Sequence, residues 1–319
     1  MSGNKNNKGM MKAVRIHEYG NSDVLRYEDA EVPQVNGNDV LVRVEYAGVN
    51  PMDWKVREGY FKEAIPLKMP ATLGIDFAGT VEKVGDKVKR FKPGDKVFSR
   101  ADFTRGGSYA EYVAVDANQP AHVPKSLSVK EAATVPVAYG TAYNGLFTTA
   151  GLKSGQKVLI TGASGGVGIA AVQLAKSAGA YVAGTTSAAN VPMVKSLGAD
   201  QVIDYTSTDF NKQVSGMDVV FDTVGGDTLD RAYAVLKKGG VIVSTAGQPN
   251  ASLEAKYGVV ARPLKNVTDG KLLEDLARLF DNGKLKVVLE KEFTMSDIKA
   301  AHDLSQSRKA RGKIVVRVK

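Results

Sequence analysis

The sequence predicts an α/β protein in two parts, an antiparallel β-domain followed by a parallel sheet covered on both faces by helices. Three observations predict it. Short alternating stretches between Gly and Pro turns fill roughly the first 125 residues. Apolar strands alternating with helix-length segments fill most of the rest. One of those strands, KVLIT (157–161), runs into a glycine loop that opens a helix.

At 319 residues the chain is long enough for two domains. It contains no cysteine, which excludes disulfides, a thiolate nucleophile and a Cys-ligated metal. No apolar run approaches the roughly 20 residues that span a bilayer. Residues 1–10, MSGNKNNKGM, are polar without an apolar h-region. They read as a disordered lead, and a cytoplasmic location is the default expectation. Met11 then opens the first strand, MKAVRI.

Further strands are expected at 39–48, 77–85, 94–99 and 109–115. In VLVRVEY, Leu41, Arg43 and Glu45 alternate with Val42, Val44 and Tyr46, the period of a strand. This half reads as a partly closed antiparallel barrel. After about residue 125 the apolar strands are KVLIT, AYVAGT (180–185), QVID (201–204), DVVFD (218–222), GVIVST (240–245) and GVVA (258–261). Helical segments at 270–282 and 296–307 and a last strand, KIVVRV, close the chain.

The formal net charge is +9, and 308–319 holds six basic residues without an acid. No aromatic residues interleave with them and no nucleic-acid motif accompanies them. The stretch therefore reads as an edge strand kept soluble by Lys and Arg.

The glycine loop carries the chemistry. Ala163, Gly165 and Gly168 occupy the three small positions of a dinucleotide fingerprint: tight turn, close approach to a pyrophosphate, and close helix–strand packing. The helix from about 166 then directs its free N–H groups at the phosphates, so Ser164, Gly165, Gly166 and Val167 form the expected cradle. An NAD site usually carries an acid about 20 residues on. Here 177–199 has none, and the strand ends in Gly184, Thr185, Thr186 and Ser187. Hydroxyls without a carboxylate admit a 2′-phosphate, so NADPH is the expected cofactor. No cation follows Ser187 directly. Lys195, or Arg308 and Arg311 of the basic tail, could supply the counter-charge.

The stretch GQKVLITGASGGVGIAAVQLAK, with AGVNPMDWKVREG (47–59), GIDFAGTVEKVG (74–85), VAYGTAYNGL (137–146), LGADQVIDY (197–205), DVVFDTVGG (218–226) and RGKIVV (311–316), resembles the quinone oxidoreductase/ζ-crystallin group of the medium-chain dehydrogenase/reductase superfamily. The resemblance covers nearly the whole chain from Met11. It implies a GroES-like catalytic domain at 11–125, a Rossmann NADP-binding domain at 126–264 and a return to the first domain at 265–319. It also implies an active site in the cleft between the domains, and a homodimer. Asn50, Ile75 and Val137 stand where zinc-dependent members carry Cys, His and Cys, which implies a zinc-free enzyme.

The resemblance also assigns roles. Asn50 would contact the nicotinamide ribose or the substrate carbonyl; on local grounds it could equally start an Asx turn before Pro51. Tyr60 would be the proton donor, with interfacial packing as its structural alternative and water or the cofactor ribose as other proton sources. Thr141 would lie near the nicotinamide carboxamide and Tyr205 along the adenosine pocket. Asn190 and Val224 complete the expected cofactor contacts. Asp53 and Arg57, four apart, read as a helical ion pair, and Asp76 as structural. His17, His122 and His302 match no motif.

Without a metal, reduction of an activated C=C is easier than reduction of a simple ketone, because charge builds on a conjugated carbonyl oxygen that hydrogen-bond donors can stabilise. The expected activity is therefore reduction of small-molecule quinones or α,β-unsaturated carbonyls. The alternatives are a metal-free alcohol or aldehyde reductase, and a non-catalytic NADPH-binding protein, crystallin-like or RNA-associated.

Overall fold

A computed structural model describes residues 9–319. The expected lead at 1–10 lies outside these for all but its last two residues, and Met10 already belongs to the first strand. In chain order the elements are β1 (Met10–Ile16), β2 (Arg26–Glu31), β3 (Asp39–Val49), α1 (Pro51–Arg57), β4 (Ala71–Thr72), β5 (Asp76–Val84), β6 (Lys96–Arg100), β7 (Tyr112–Asp116), β8 (Ala121–His122), α2 (Val129–Ala132) and α3 (Pro136–Tyr143). A π-helical turn, Asn144–Thr149, extends α3. Then follow β9 (Lys157–Ile160), α4 (Gly166–Ser177), β10 (Tyr181–Thr186), α5 (Val191–Ser196), β11 (Gln201–Asp204), β12 (Met217–Asp222), α6 (Gly226–Ala232), β13 (Leu236–Ser244), α7 (Ala251–Tyr257) and β14 (Val260–Ala261). The chain ends with α8 (Gly270–Asp281), β15 (Leu289–Thr294), α9 (Ile298–Gln306) and β16 (Lys313–Arg317).

The chain forms two compact units. One holds Met1–Val137, Asp269–Asp281 and Leu289–Lys319, and the other Ala138–Thr268 with Asn282–Val288.

The second unit is built on one sheet of order β11-β10-β9-β12-β13-β14, all neighbours parallel. Its order reverses between β9 and β12, the switch point at which open α/β sheets bind ligands. Leu159, Val220 and Ile242 from three strands pack with Phe210 and Tyr233 in its core.

The first unit carries a three-stranded sheet, β2-β1-β4, and a larger one of order β15-β16-β3-β5-β6-β8. β3 anchors the larger sheet. One edge pairs with β5, and the other pairs with β7 along residues 39–43 and with β16 along residues 46–49, all antiparallel. The alternation that predicted β3 is explained by its burial: Val42 and Val44 lie in a core with Phe77, Val97 and Val316, while Arg43 and Glu45 are half-buried.

The expectation that the last strand lies at an edge is corrected. β16 sits between β15 and β3, and Ile314, Val315 and Val316 are buried. The edge belongs to β15, whose residues LEKEFT are mostly exposed and show no apolar alternation. Part of the basic tail is also neutralised, with Arg317 3.5 Å from Glu292 and Lys319 3.3 Å from Glu111.

Candidate active site

In the second unit β9 ends at the switch point. Thr161 Oγ1 donates to Asp222 Oδ1 at 2.6 Å, and Thr223 Oγ1 returns a bond to the Thr161 carbonyl at 2.7 Å. Asp222 is buried and also accepts from Ser244 Oγ at 2.6 Å and the Gly225 N–H at 3.0 Å. This polar tie fixes the ends of β9 and β12, from which the two loops start.

Gly162 turns the chain with φ +67°, a conformation that favours glycine. The Gly165 N–H closes the turn on the Gly162 carbonyl at 3.0 Å, and the Ile169 N–H makes the first helical bond, on Gly165, at 2.8 Å. The N–H groups of Gly166, Val167 and Gly168 precede that bond and so have no acceptor within α4. At Gly168 a Cβ would lie 2.2 Å from the Gly162 carbonyl oxygen and 2.8 Å from Ala163 Cα, so strand, loop and helix meet there without side chains. At Gly165 a Cβ would meet only the Gly162 carbonyl oxygen, at 3.5 Å, and otherwise stand in open space. This is a cradle that a side chain would fill, and it fits a pyrophosphate.

Around the loop, Asn190 Nδ2 donates to Ser187 Oγ at 3.1 Å and lies 3.4 Å from Ser164 Oγ, so three expected cofactor residues form one polar cluster. Thr186 is buried, and its Oγ1 has no partner among the described residues. Tyr205 follows β11 and is 60% exposed; Val224 follows β12 and is exposed too. Thr141, on α3, is buried and accepts from Asn266 Nδ2 at 3.0 Å, which keeps its own hydroxyl proton free to donate. Sequence reasoning missed Asn266, whose only signal is a polar residue in an irregular segment. Arg308 belongs to the first unit, at the end of α9, with φ +59°.

In the first unit Asn50 is the residue before α1. Its backbone N–H donates to Asp53 Oδ2 at 2.7 Å and its carbonyl accepts the Asp53 N–H at 3.0 Å, which starts the helix at Pro51. Its side chain is engaged elsewhere. Nδ2 donates to Asp76 Oδ2 at 3.0 Å, and Oδ1 accepts from Lys313 Nζ. Lys313 Nζ lies 3.8 Å from Asp76 Oδ2, and Asp76 Oδ1 accepts the Val137 N–H at 2.9 Å. Asn50, Asp76 and Lys313 are all buried, Asn50 only 2% exposed. Burial pushes the Asp76 carboxyl up and the Lys313 ammonium down. Lys313 was legible only as one more basic residue of the tail, and Asp76 only as structural.

The expected Asp53–Arg57 ion pair is corrected. Asp53 Oδ2 takes the Asn50 N–H and the Tyr109 O–H, the latter at 3.1 Å. Arg57 instead donates to the Gly20 carbonyl, to His302 Nδ1, both at 3.1 Å, and to Glu58 and Gln306. The first turn of α1 thus needs Asp53 for its own N-terminus, and the last turn faces α9. Because Arg57 can only donate, His302 Nδ1 accepts and Nε2 carries the proton.

Burial, with the Asp76 charge, raises the Asp53 carboxyl to about 7, against the hydrogen bonds it accepts. Its native state therefore holds a proton that the unfolded chain releases from about pH 4 upward, and this contribution to stability is lost as pH rises toward 7. His302, lowered to about 3 by burial and then by Arg57, acts in the opposite sense, its contribution being lost as pH falls below 6.5. Asp53→Asn should therefore gain stability over the parent as pH rises from 4 to 7, by at most about 1.4 kcal/mol per unit. Denaturant melts across that range check it, and a pH-independent difference refutes it.

Tyr60 follows α1, is 69% exposed and stands edge-on to Trp54 at 6.1 Å.

Residues 36–125 match the family described as Alcohol dehydrogenase GroES-like domain, and residues 197–316 the one described as Zinc-binding dehydrogenase. The residues here do not fit a catalytic zinc. Ile75 and Val137 offer no ligand, the Asn50 amide is held by Asp76 and Lys313, and no group of three His, Cys, Asp or Glu suited to a metal occurs among the described residues. The chain is 37% identical to the 2-methylene-furan-3-one reductase of Solanum lycopersicum, over 96% of this chain and 79% of that one. It is 35% identical to the chloroplast envelope quinone oxidoreductase homolog of Arabidopsis thaliana, over 96% and 98%. The solved quinone oxidoreductase of Coxiella burnetii superposes with a TM-score of 0.89 at 33% identity, covering 97% of this chain and all of that one. With the 3-2-1-4-5-6 parallel sheet, the glycine loop at its reversal and this similarity along almost its whole length, the chain belongs to the quinone oxidoreductase group of the medium-chain dehydrogenase/reductase superfamily.

Proposed function

We propose that the protein is an NADPH-dependent, zinc-free reductase of quinones or of the C=C bond of α,β-unsaturated carbonyls. The observation that carries it is the glycine loop at the sheet reversal, open at Gly165 and with three N–H groups ahead of the first α4 hydrogen bond. The names of the relatives support the substrate class. Ser164, Gly165, Gly166 and Val167 would hold the pyrophosphate. Thr186, Ser187 and Asn190 would receive the 2′-phosphate. Tyr205 and Val224 would line the nucleotide and Thr141 would meet the carboxamide. The preference for the phosphorylated nucleotide rests on hydroxyls ending β10 where no acid follows up to residue 199.

NADPH supplies a hydride for the β-carbon of an enone. The Asn50 amide donates to the carbonyl oxygen on which the electron pair settles, and Tyr60 delivers the proton that completes the α-carbon. The described residues contain no helix long and apolar enough to cross a membrane. A homodimer joined through sheet edges belongs to the same reading, β14 being a two-residue edge strand with Val260 exposed.

Loss of NADPH absorbance with an enone, a quinone and a saturated aldehyde tests the function. Turnover of the first two, undiminished by a chelator, is expected. Activity confined to the aldehyde would favour a metal-free carbonyl reductase instead. Tyr60→Phe should lower enone kcat by about 100-fold, and unchanged turnover would pass the proton to water or the cofactor ribose.

A further inference from the structure

We infer that Lys313 and Asp76 are positioning residues that fix which end of the Asn50 amide meets the substrate, so that the site presents an N–H donor and never a carbonyl acceptor. This rests on the reading of Asn50 as the group that meets the carbonyl oxygen.

The two ends of an asparagine amide are nearly the same shape, so only their hydrogen-bond partners decide its orientation. With Lys313 and Asp76 charged as a pair, 3.8 Å apart, the partners leave no choice. A lysine ammonium can only donate, and Lys313 Nζ approaches Oδ1. A carboxylate can only accept, and Asp76 Oδ2 receives Nδ2 at 3.0 Å. A half-turn of the amide would set Nδ2 against the ammonium and Oδ1 against the carboxylate, both repulsive in surroundings that exclude water.

The sheet builds this arrangement. Gly48 of β3 faces Asp76 of β5 on one side, and Val49 faces Ile314 of β16 on the other. The residue after Val49 therefore enters between an anion from one neighbouring strand and a cation from the other. The remaining bonds of the pair hold it in place: Lys313 Nζ also donates to the Val49 carbonyl at 3.3 Å, and Asp76 Oδ1 takes the Val137 N–H at 2.9 Å. Asp76 uses one Nδ2 hydrogen of Asn50, and the other is left for a ligand. Desolvating both charges at a separation of 3.8 Å is a poor route to stability, but it sets a neutral amide firmly.

The test reads the amide directly. In the 15N-labelled protein, the Asn50 side-chain resonance is the one lost in Asn50→Ala. In the parent it should show a single amide with one slowly exchanging proton. In Lys313→Met that protection should be lost and the resonance should move. Enone kcat should then fall about 10- to 100-fold, while the dissociation constant for NADPH, titrated without substrate, stays within twofold. Asn50→Ala/Lys313→Met should be no slower than Asn50→Ala alone, because Lys313 acts through Asn50. An unchanged Asn50 resonance in Lys313→Met, or multiplying losses in the double variant, overturns the inference. Should Lys313→Met fail to fold, Lys313→Gln keeps a donor on a side chain one atom shorter, and it should show intermediate exchange and an intermediate kcat; parent-like values for both overturn the inference as well. A parent enzyme that reduces neither enone nor quinone defeats the proposed reaction, and the amide resonance still decides the orientation.

Discussion

Gly168→Ala should cost the protein both stability and nucleotide, whereas Gly165→Ala should cost it nucleotide alone. The added methyl at 168 would lie 2.2 Å from the Gly162 carbonyl oxygen and within 2.9 Å of the Ala163 backbone, and no flexible side chain is there to yield. Either α4 withdraws from β9 or the loop opens, at a cost of about 1–3 kcal/mol for overpacking. Either movement also displaces the N–H groups of Gly166 and Val167. At 165 the methyl meets one oxygen at an ordinary 3.5 Å, so the fold accepts it. It occupies the space into which a pyrophosphate would come. NADPH at 100 times its dissociation constant should raise the stability of the parent by about 2.7 kcal/mol. Thermal melts with and without NADPH should show that increment lost in both variants, and a lowered melting point without NADPH only in Gly168→Ala. A full NADPH shift in Gly165→Ala would remove the loop from the binding site.

Asn50→Ala should lower enone kcat by about 100- to 1000-fold, the usual cost of one donor aimed at a developing oxyanion. The loss should fall on kcat more than on KM, since the ground-state carbonyl oxygen carries less charge than the oxygen in the transition state. The substitution also removes the amide from between Lys313 and Asp76 and leaves both buried with fewer partners. A fall in stability of about 1–3 kcal/mol should accompany it, so rates belong well below the melting point of the variant. A folded Asn50→Ala with parental kcat would show that another group receives the charge.

The parallel unit was legible because each of its central strands is an apolar run between turn residues, and because the fingerprint glycines sit where β9 becomes α4. β4 and β8 were not, since Ala-Thr and Ala-His carry no apolar run, whereas the two-residue β14 lies within one. β15 was missed for a different reason: a polar edge strand carries no alternation. The six basic residues of 308–319 are what sent β16 to the edge. The Asn50 cluster lay further from reach. Asp53 and Arg57 have the spacing of an ion pair, and nothing local says that Tyr109 and His302 claim them instead. Lys313 reads as a solubilising charge until the strand pairing carries it across 263 residues to Asn50.

That pairing has a consequence for synthesis. β16 leaves the ribosome after the other elements described, yet it covers the free edge of β3 along residues 46–49. At about 5–20 residues per second, that apolar edge waits for tens of seconds after emerging, while the inserted nucleotide unit can already close. A nascent chain stalled before Lys313 would thus leave the Asn50 amide without the ammonium that holds its Oδ1, and during that interval its open strand edge is a natural client for chaperones.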